Sequence, residues 1–422
     1  MAQSKATDVE AVEPEQKASV NDVTSIPDGG LKAWIQVFAA FFVYFSTWGN
    51  LNTFGAYQTY YETQALFSAS SSTISWIGSV QSSLLLILGL ATGPLYDAGY
   101  FRVLMHSGAF LIVFGTMMIS LCREYWQVLL AQGFCVGIGT GLVFIPGVAI
   151  ISTYFSNRLA LATGVAAAGS GLGGIIYPII FHRLIDRIGF GWTVRAIGLV
   201  IFVSLLIPLL IFRVRVKPAG KRKILDLPAF KEPAYTVFVL GAMLAYITIN
   251  IPFYYIQYFA LTKHLAAGDL PFYLLSIITT GSIFGRILPN YLANKIGAFN
   301  IISICSIICG GTVVALVDMS NLPGAVIVSL LYGFFSGAVV SLPPTCFVKL
   351  SPDRSLIGTR MGMGYGVMMI GNLIGSPVAG AILQDRGFNA MWIFGGVTSM
   401  AGGIVMMISR CIQGKWEVFA KV

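Results

Sequence analysis

The sequence predicts an all-α membrane protein: twelve transmembrane helices in two pseudo-symmetric six-helix halves. Three observations carry this. Hydrophobic residues make up 56% of the 422 residues and charged ones only 10%, against about 25% charged in a soluble domain. About twelve apolar stretches reach the roughly 20 residues that a span requires. Polar interruptions also match at half the chain length. Gly93-Pro-Leu-Tyr-Asp97-Ala-Gly99-Tyr-Phe-Arg102 pairs with Pro289-Asn-Tyr-Leu-Ala-Asn294-Lys295-Ile-Gly297, and Asp97 and Asn294 stand 197 positions apart. Ser156-Asn-Arg158 pairs with Pro352-Asp-Arg354 at a spacing of 196. Two pairs at nearly one spacing indicate a duplicated membrane unit, the usual build of a secondary transporter.

Residues 1–33 are polar and acidic with no aromatic. They read as a disordered cytoplasmic tail, and the lack of an apolar core argues against a Sec-type signal peptide. The first half, 34–212, holds apolar segments at 34–60, 73–96, 103–121, 125–153, 159–182 and 190–212. A basic cytoplasmic linker follows at 213–234. The second half, 235–412, holds segments at 235–261, 270–293, 299–317, 322–348, 355–382 and 388–411, and 413–422 forms a short cytoplasmic tail. With the N-terminus inside, about 19 Lys and Arg fall on the inner side against 5 outside. That asymmetry supports an even span number, both termini in the cytoplasm and a multi-pass protein, expected in the plasma membrane.

The net charge of +9 does not point to nucleic acid. Arg213-Val-Arg215-Val-Lys217 and Lys221-Arg222-Lys223 sit together in the linker, where they act as a topology signal and suit anionic lipid headgroups. The partners implied are the lipid bilayer and a small solute, with the chain acting as a monomer. Cys305 and Cys309 share a helix face, but no His or acid completes a metal site; the six cysteines read as small apolar packing residues. Segments 4, 5 and 11 are glycine-rich, which lets helix backbones approach closely. Gly169-Ser-Gly-Leu-Gly-Gly174 lies inside an apolar span with no strand or phosphate-binding lysine beside it, so it reads as packing rather than a nucleotide loop.

In the first interruption Gly93 and Gly99 permit a tight turn, and Asp97 can pair with Arg102. This arrangement resembles the inner-loop motif of the major facilitator superfamily, where it implies a charge latch holding one access state. Asn294 in the second copy removes the charge. Pro27-Asp28-Gly29-Gly30-Leu31-Lys32-Ala33-Trp34 is similar to the Asp-Gly-Gly-x-x-Trp signature of the monocarboxylate transporter family, with one extra residue before the tryptophan. Tyr154-Phe155-Ser156-Asn157-Arg158-Leu159-Ala160-Leu161-Ala162-Thr163-Gly164 resembles that family's second signature. Asn52-Thr-Phe-Gly-Ala-Tyr57-Gln58-Thr-Tyr-Tyr61-Glu62 looks like its fungal branch. The resemblance covers about residues 27–412.

Arg286, in segment 8, is the sharpest single residue. An arginine within a span costs about 2.5–3.5 kcal/mol even on the lenient insertion scale, so it marks a function by default. A guanidinium suits a carboxylate held by two parallel hydrogen bonds. The resemblance places a substrate-binding arginine here. The bland alternative is an arginine reaching the inner interface or pairing with helix-end carbonyls.

The chain also departs from the family. Animal members carry an aspartate one turn before this arginine and a lysine in the first helix; here those positions hold Ser282 and Leu51-Asn52. Both missing groups are associated in the family with proton coupling, and no Asp or Glu lies deep in a predicted span. No cofactor is implied, and proton coupling is left open. His106 titrates in a useful range, although a histidine near the start of a span is more often structural. Further substrate-binding candidates are Asn52, Tyr57, Gln58, Asn250, Tyr254, Gln257, Tyr332 and Asn372, with Asn50, Tyr255 and Tyr365 beside them. Asn250-Ile-Pro252 invites a helix break near mid-membrane.

The leading expectation is a secondary transporter of a small organic anion, monocarboxylate-like, working by alternating access around Arg286. Efflux of a carboxylated or phenolic fungal secondary metabolite is the alternative, and a transporter-like sensor is more remote. An enzyme is not expected, since three scattered histidines and no acid–base pair within a span offer no catalytic material.

Overall fold

The computed structural model describes residues 28–63, 66–155, 158–215, 225–265, 268–352, 356–414 and 416. The tail up to residue 27, linker residues 216–224, Arg354 and the side chains of Asp97 and Asn294 lie outside this description.

Twelve helices are present among the described residues: α1 (31–62), α2 (71–97), α3 (Phe101–Ile119), α4 (Tyr125–Thr153), α5 (159–188), α6 (190–211), α7 (Pro233–Thr262), α8 (Leu270–Ile296), α9 (Ala298–Val314), α10 (Leu322–Lys349), α11 (357–386) and α12 (388–413). Starts are set by local chemistry: Ser70 Oγ accepts from the Thr73 amide to cap α2, and Asn321 Oδ1 accepts from Gly324 to cap α10. Three pairs of consecutive helices are each joined by a single glycine. Gly189 (φ 75°) separates α5 from α6, Gly387 (φ 80°) separates α11 from α12, and Gly297 (φ 109°) separates α8 from α9. The left-handed region is open to glycine at little cost. This is why α5 and α11 run several residues past the ends expected from hydropathy. Gly99 (φ 93°) occupies the corresponding place after α2, so the matched interruptions share a left-handed glycine.

Two irregularities interrupt regular α geometry. Phe45–Gly49 in α1 and Leu129–Val136 in α4 are π-helical, and such turns cluster at functional sites. In α7 the helix breaks between Thr248 and Ile251. Pro252 cannot donate to the Thr248 carbonyl, and the Tyr332 hydroxyl donates instead, 3.3 Å from Thr248 O and 2.9 Å from Ile249 O.

Each half is built on glycine notches. A Cβ on Gly285 of α8 would lie 1.9 Å from the Phe334 carbonyl of α10, and one on Gly333 of α10 would lie 2.0 Å from the Ile278 carbonyl of α8. Gly371 and Gly375 seat α11 equally close to α7. With little hydrophobic drive between helices in lipid, such close packing carries the association. Gly285→Ala is expected to cost roughly 1–3 kcal/mol by overpacking, read as a lower unfolding temperature of purified protein. An unchanged temperature would show that the crossing yields.

One rim of the bundle carries exposed Lys32, Arg102, Arg158, Arg213, Lys231, Lys295 and Lys349; this is the basic rim. There Arg360, only 3% exposed, clasps the linker's end: Nε donates to Asp226 at 2.8 Å, both terminal nitrogens donate to Glu232 at 2.7 and 2.5 Å, and Nη1 also reaches the Leu350 carbonyl at 2.6 Å. The halves α1–α6 and α7–α12 meet along α1–α7, α2–α11 and α5–α8.

Candidate substrate site between the halves

Arg286 projects from α8 toward the other half. Its Nη1 donates to Ser170 Oγ of α5 at 2.7 Å, and its guanidinium lies 5.8 Å from the ring of Trp48, in the π-helical turn of α1. Tyr44 of α1 and Tyr246 of α7 lie within electrostatic range of it, and Tyr365 of α11 within range of both tyrosines. Groups from α1, α5 and α7 thus surround the cation carried by α8, and α11 adds Tyr365 beside the two tyrosines. Among the described residues, no carboxylate stands at ion-pair distance from Arg286. Arg286 Nε, Trp48 Nε1 and the Tyr246 hydroxyl are buried without a hydrogen-bond partner. Buried donors are normally satisfied, so three unpaired around one guanidinium form a place prepared for an acceptor-rich ligand. The aromatic walls add a face on which a flat ring can stack.

Only part of the predicted set lies here. Asn250 and Asn372 meet in a separate cluster across the halves: Asn250 Nδ2 donates to Asn372 Oδ1 at 2.9 Å, and Asn372 Nδ2 donates to Ser82 and Ser83 of α2 at 2.8 and 3.1 Å. Asn52 packs against Gly174 of α5, and Tyr254 sets its ring 4.6 Å from Phe54. Tyr57 is nine residues past Trp48, about 13 Å along the helix. It is buried against Phe181, with Tyr61 and Phe190 close by. Gln58 donates to Glu62 at 2.7 Å, and Gln257 ties α7 to the Phe272 carbonyl at 2.6 Å. Tyr332 serves the break in α7 described above.

Among the inner-loop residues, Gly93 has open space around it and Gly99 makes the turn. Arg102 is exposed and lines a recess of about 310 Å³ between α3 and α6, with Arg213 and His106. His106 is also exposed, and its Nδ1 bonds the Arg102 carbonyl one turn back, at 2.6 Å. The Arg158 amide donates to Asp28 at 3.1 Å, the Asp28 amide donates to the Tyr154 carbonyl at 3.1 Å, and Trp34 lies edge-on to Phe155 at 5.3 Å. The two signature stretches are therefore in contact at the basic rim.

Sequence reasoning missed Tyr44, Trp48, Tyr246 and the polar role of Ser170. A tryptophan in mid-span, away from either interface, was the available signal.

At the rim opposite the basic one, the halves are tied together. His182 Nε2 lies 3.2 Å and Arg183 3.3 Å from Asp269, the residue just before α8; Arg183 also donates to the Tyr273 hydroxyl at 2.7 Å, and the His182 ring stacks on Phe272 at 4.0 Å. The Tyr255 hydroxyl bonds Ser75 Oγ of α2. The polar ties found between the halves run from this rim down to Arg286–Ser170, so the structure is closed at the opposite rim. Asp269→Asn is expected to widen that rim, measured as faster labelling of a cysteine introduced at Tyr258, which lines a cavity between the halves there. Unchanged labelling would mean that the pair does not bear on closure.

Two helical halves tied at one rim around a polar mid-membrane site define a membrane transporter. The chain belongs to the major facilitator superfamily: the family described as Major Facilitator Superfamily matches residues 36–356. It is 47% identical over 385 residues to the "MFS-type transporter dbaD" of Emericella nidulans, covering 90% of this chain and 87% of that one. It is 37% identical to the "Aspyridones efflux protein apdF" of the same organism (93% and 80% covered), and 31% identical to the "Agnestins efflux protein AgnL12" of Paecilomyces divaricatus (97% and 98%). A crystal structure of peptide transporter POT in complex with sulfate has the same fold, with TM-score 0.72 at 13% identity over 93% of this chain and 98% of that one.

Proposed function

We propose that the chain exports a carboxylated or phenolic aromatic metabolite, with the basic rim facing the cytoplasm and Arg286 as the counter-charge. The observation that carries this is the uncompensated guanidinium at the junction of the halves, with unpaired Trp48 and Tyr246 donors beside it. An anionic ligand supplies the acceptors that these donors lack, and an attached ring suits the aromatic surroundings. Two relatives are named as efflux proteins, for aspyridones and for agnestins, which favours export over uptake of a simple monocarboxylate. Ser282 and Asn52, standing where the monocarboxylate family has its coupling groups, favour a substrate or coupling scheme of another kind. The protein acts as a monomer in the plasma membrane, its two halves rocking about the site.

The test is an untargeted comparison of metabolites inside and outside producing cells with and without the protein, followed by flux from preloaded proteoliposomes. The expected result is retention of an acidic aromatic compound in cells lacking the protein, and its saturable release from vesicles. Accumulation driven inward would replace export with uptake. Binding without flux would indicate a sensor, and chemical conversion of the compound an enzyme.

A further inference from the structure

Glu62 is a carboxylate that the substrate site does not use. It stands just past the apolar stretch of α1, at the rim opposite the basic one. Its Oε1 accepts from Gln58 at 2.7 Å and its Oε2 from Ser71 Oγ of α2 at 2.6 Å. Among the described residues, no cation lies at ion-pair distance. One side of Glu62 faces a cavity of about 340 Å³ between the halves, formed with Ser71 from the first half and Tyr258, Gln384 and Phe388 from the second. Its other side joins the tie that closes the rim. Ser75 Oγ donates to the Ser71 carbonyl at 2.7 Å, and the Tyr255 hydroxyl of α7 contacts both Ser75 Oγ and that carbonyl.

We propose that Glu62 is a proton-binding site whose occupation lets this rim close: the ligand is a proton taken from the solution facing the rim. Closing the rim takes Glu62 partly out of water with no cation to offset its charge. The closed state therefore favours the neutral form, and by linkage the neutral form favours the closed state. Burial holds the carboxyl above the usual carboxylate range, outweighing the two hydrogen bonds that pull it down. The titratable groups facing it are the phenols of Tyr255 and Tyr258 on α7. Its hydrogen-bond partner on α2 is a serine, and the α11–α12 corner faces it with Gln384 and Phe388. The His182–Asp269 pair sits at the same rim and carries charge on both partners only when the imidazole is protonated, so His182 is the control for Glu62. For an exporter the sign is useful: after substrate leaves outward, a proton from outside promotes closure and return of the empty carrier. That last step rests on the export reading above; the proton site itself does not.

The experiment reads the rim without substrate. Spin labels at Thr63→Cys and Lys263→Cys, exposed positions on the two halves, are placed in full-length protein whose six native cysteines are replaced by alanine, and distances are measured in liposomes from about pH 5 to about pH 8. The wide-rim population should rise several-fold with pH. Glu62→Gln, neutral at every pH, should stay narrow throughout, while His182→Gln should keep most of the rise. A rim indifferent to pH, or a Glu62→Gln protein that still opens as the unsubstituted one does, overturns the proposal. If Glu62→Gln does not fold, loss of the rise in His182→Gln assigns the response to His182 and overturns the proposal, whereas its retention supports it. Failure of export leaves this result untouched.

Discussion

Arg286→Lys should cut transport by about ten- to a hundredfold while the protein reaches the membrane in normal amount. Lysine keeps the charge but loses the planar fork that grips a carboxylate with two parallel bonds. One charge-assisted hydrogen bond contributes about 1.5–3 kcal/mol, and each 1.4 kcal/mol is about tenfold in affinity. The companion change Arg286→Met separates function from structure. Arg286 is uncompensated apart from Ser170, and a buried cation without a counter-ion destabilises the fold that holds it. Its removal should therefore abolish transport and raise the unfolding temperature. Flux from proteoliposomes and thermal unfolding of the same preparations check both halves of the expectation. Full activity in Arg286→Lys would remove the residue from the site, and a lowered unfolding temperature in Arg286→Met would make it structural.

Arg360→Ala should do the reverse, lowering stability with no selective effect on substrate. Arg360 is 3% exposed and Asp226 14%, while Glu232 is 48% exposed. Breaking a buried ion pair by removing one partner costs about 3–5 kcal/mol, and the half-exposed Glu232 adds little because water screens it. A loss near 3 kcal/mol is the expectation. It also frees the Leu350 carbonyl and the linker segment that packs through Ala229. Arg360→Lys should not restore the clasp, since one ammonium cannot reach both carboxylates and the carbonyl in the same geometry. The measurement is the yield and unfolding temperature of purified protein, with substrate affinity of the surviving fraction as the contrast. Normal stability in Arg360→Ala would show that the clasp is not needed.

The two arginines also show how far the sequence could be read. Arg286 was legible because an arginine inside a span is costly enough to need a reason. Arg360 was not: near the end of a span it counted as one more inner-side charge, and its carboxylates lie 134 and 128 positions away. The twelve spans and their duplication were legible because hydropathy and repeat spacing are local quantities. The break in α7 was legible because proline lacks a donor wherever it stands. The walls of the site were not. Tyr44, Trp48 and Tyr246 sit in apolar stretches where an aromatic reads as packing, and helical periodicity says which residues share a face but not which helix that face meets. Ser170 was read inside a glycine patch, and only the fold puts it beside Arg286, 116 positions on. Glu62 fell just past a span and was passed over, although folding closes a second half against it.

The π-helical turn at Phe45–Gly49 has a consequence for the phase of α1. A regular α-helix advances about 100° per residue, and the wide turn takes in one residue more than an α turn would, leaving the two parts of the helix offset. Tyr44, just before the turn, and Trp48, within it, both lie near Arg286. Past the turn, Gly55 receives the Phe253 carbonyl, which a Cβ there would approach to 2.0 Å. Deleting a single residue between 45 and 49 would leave length and hydropathy almost unchanged, yet restoring the regular ladder would turn one part against the other by nearly a third of a revolution. The aromatic wall and the notch for α7 could then no longer both be in place. In this stretch it is angular register, more than the identity of any one side chain, that couples the candidate site to the seating of α7 on α1.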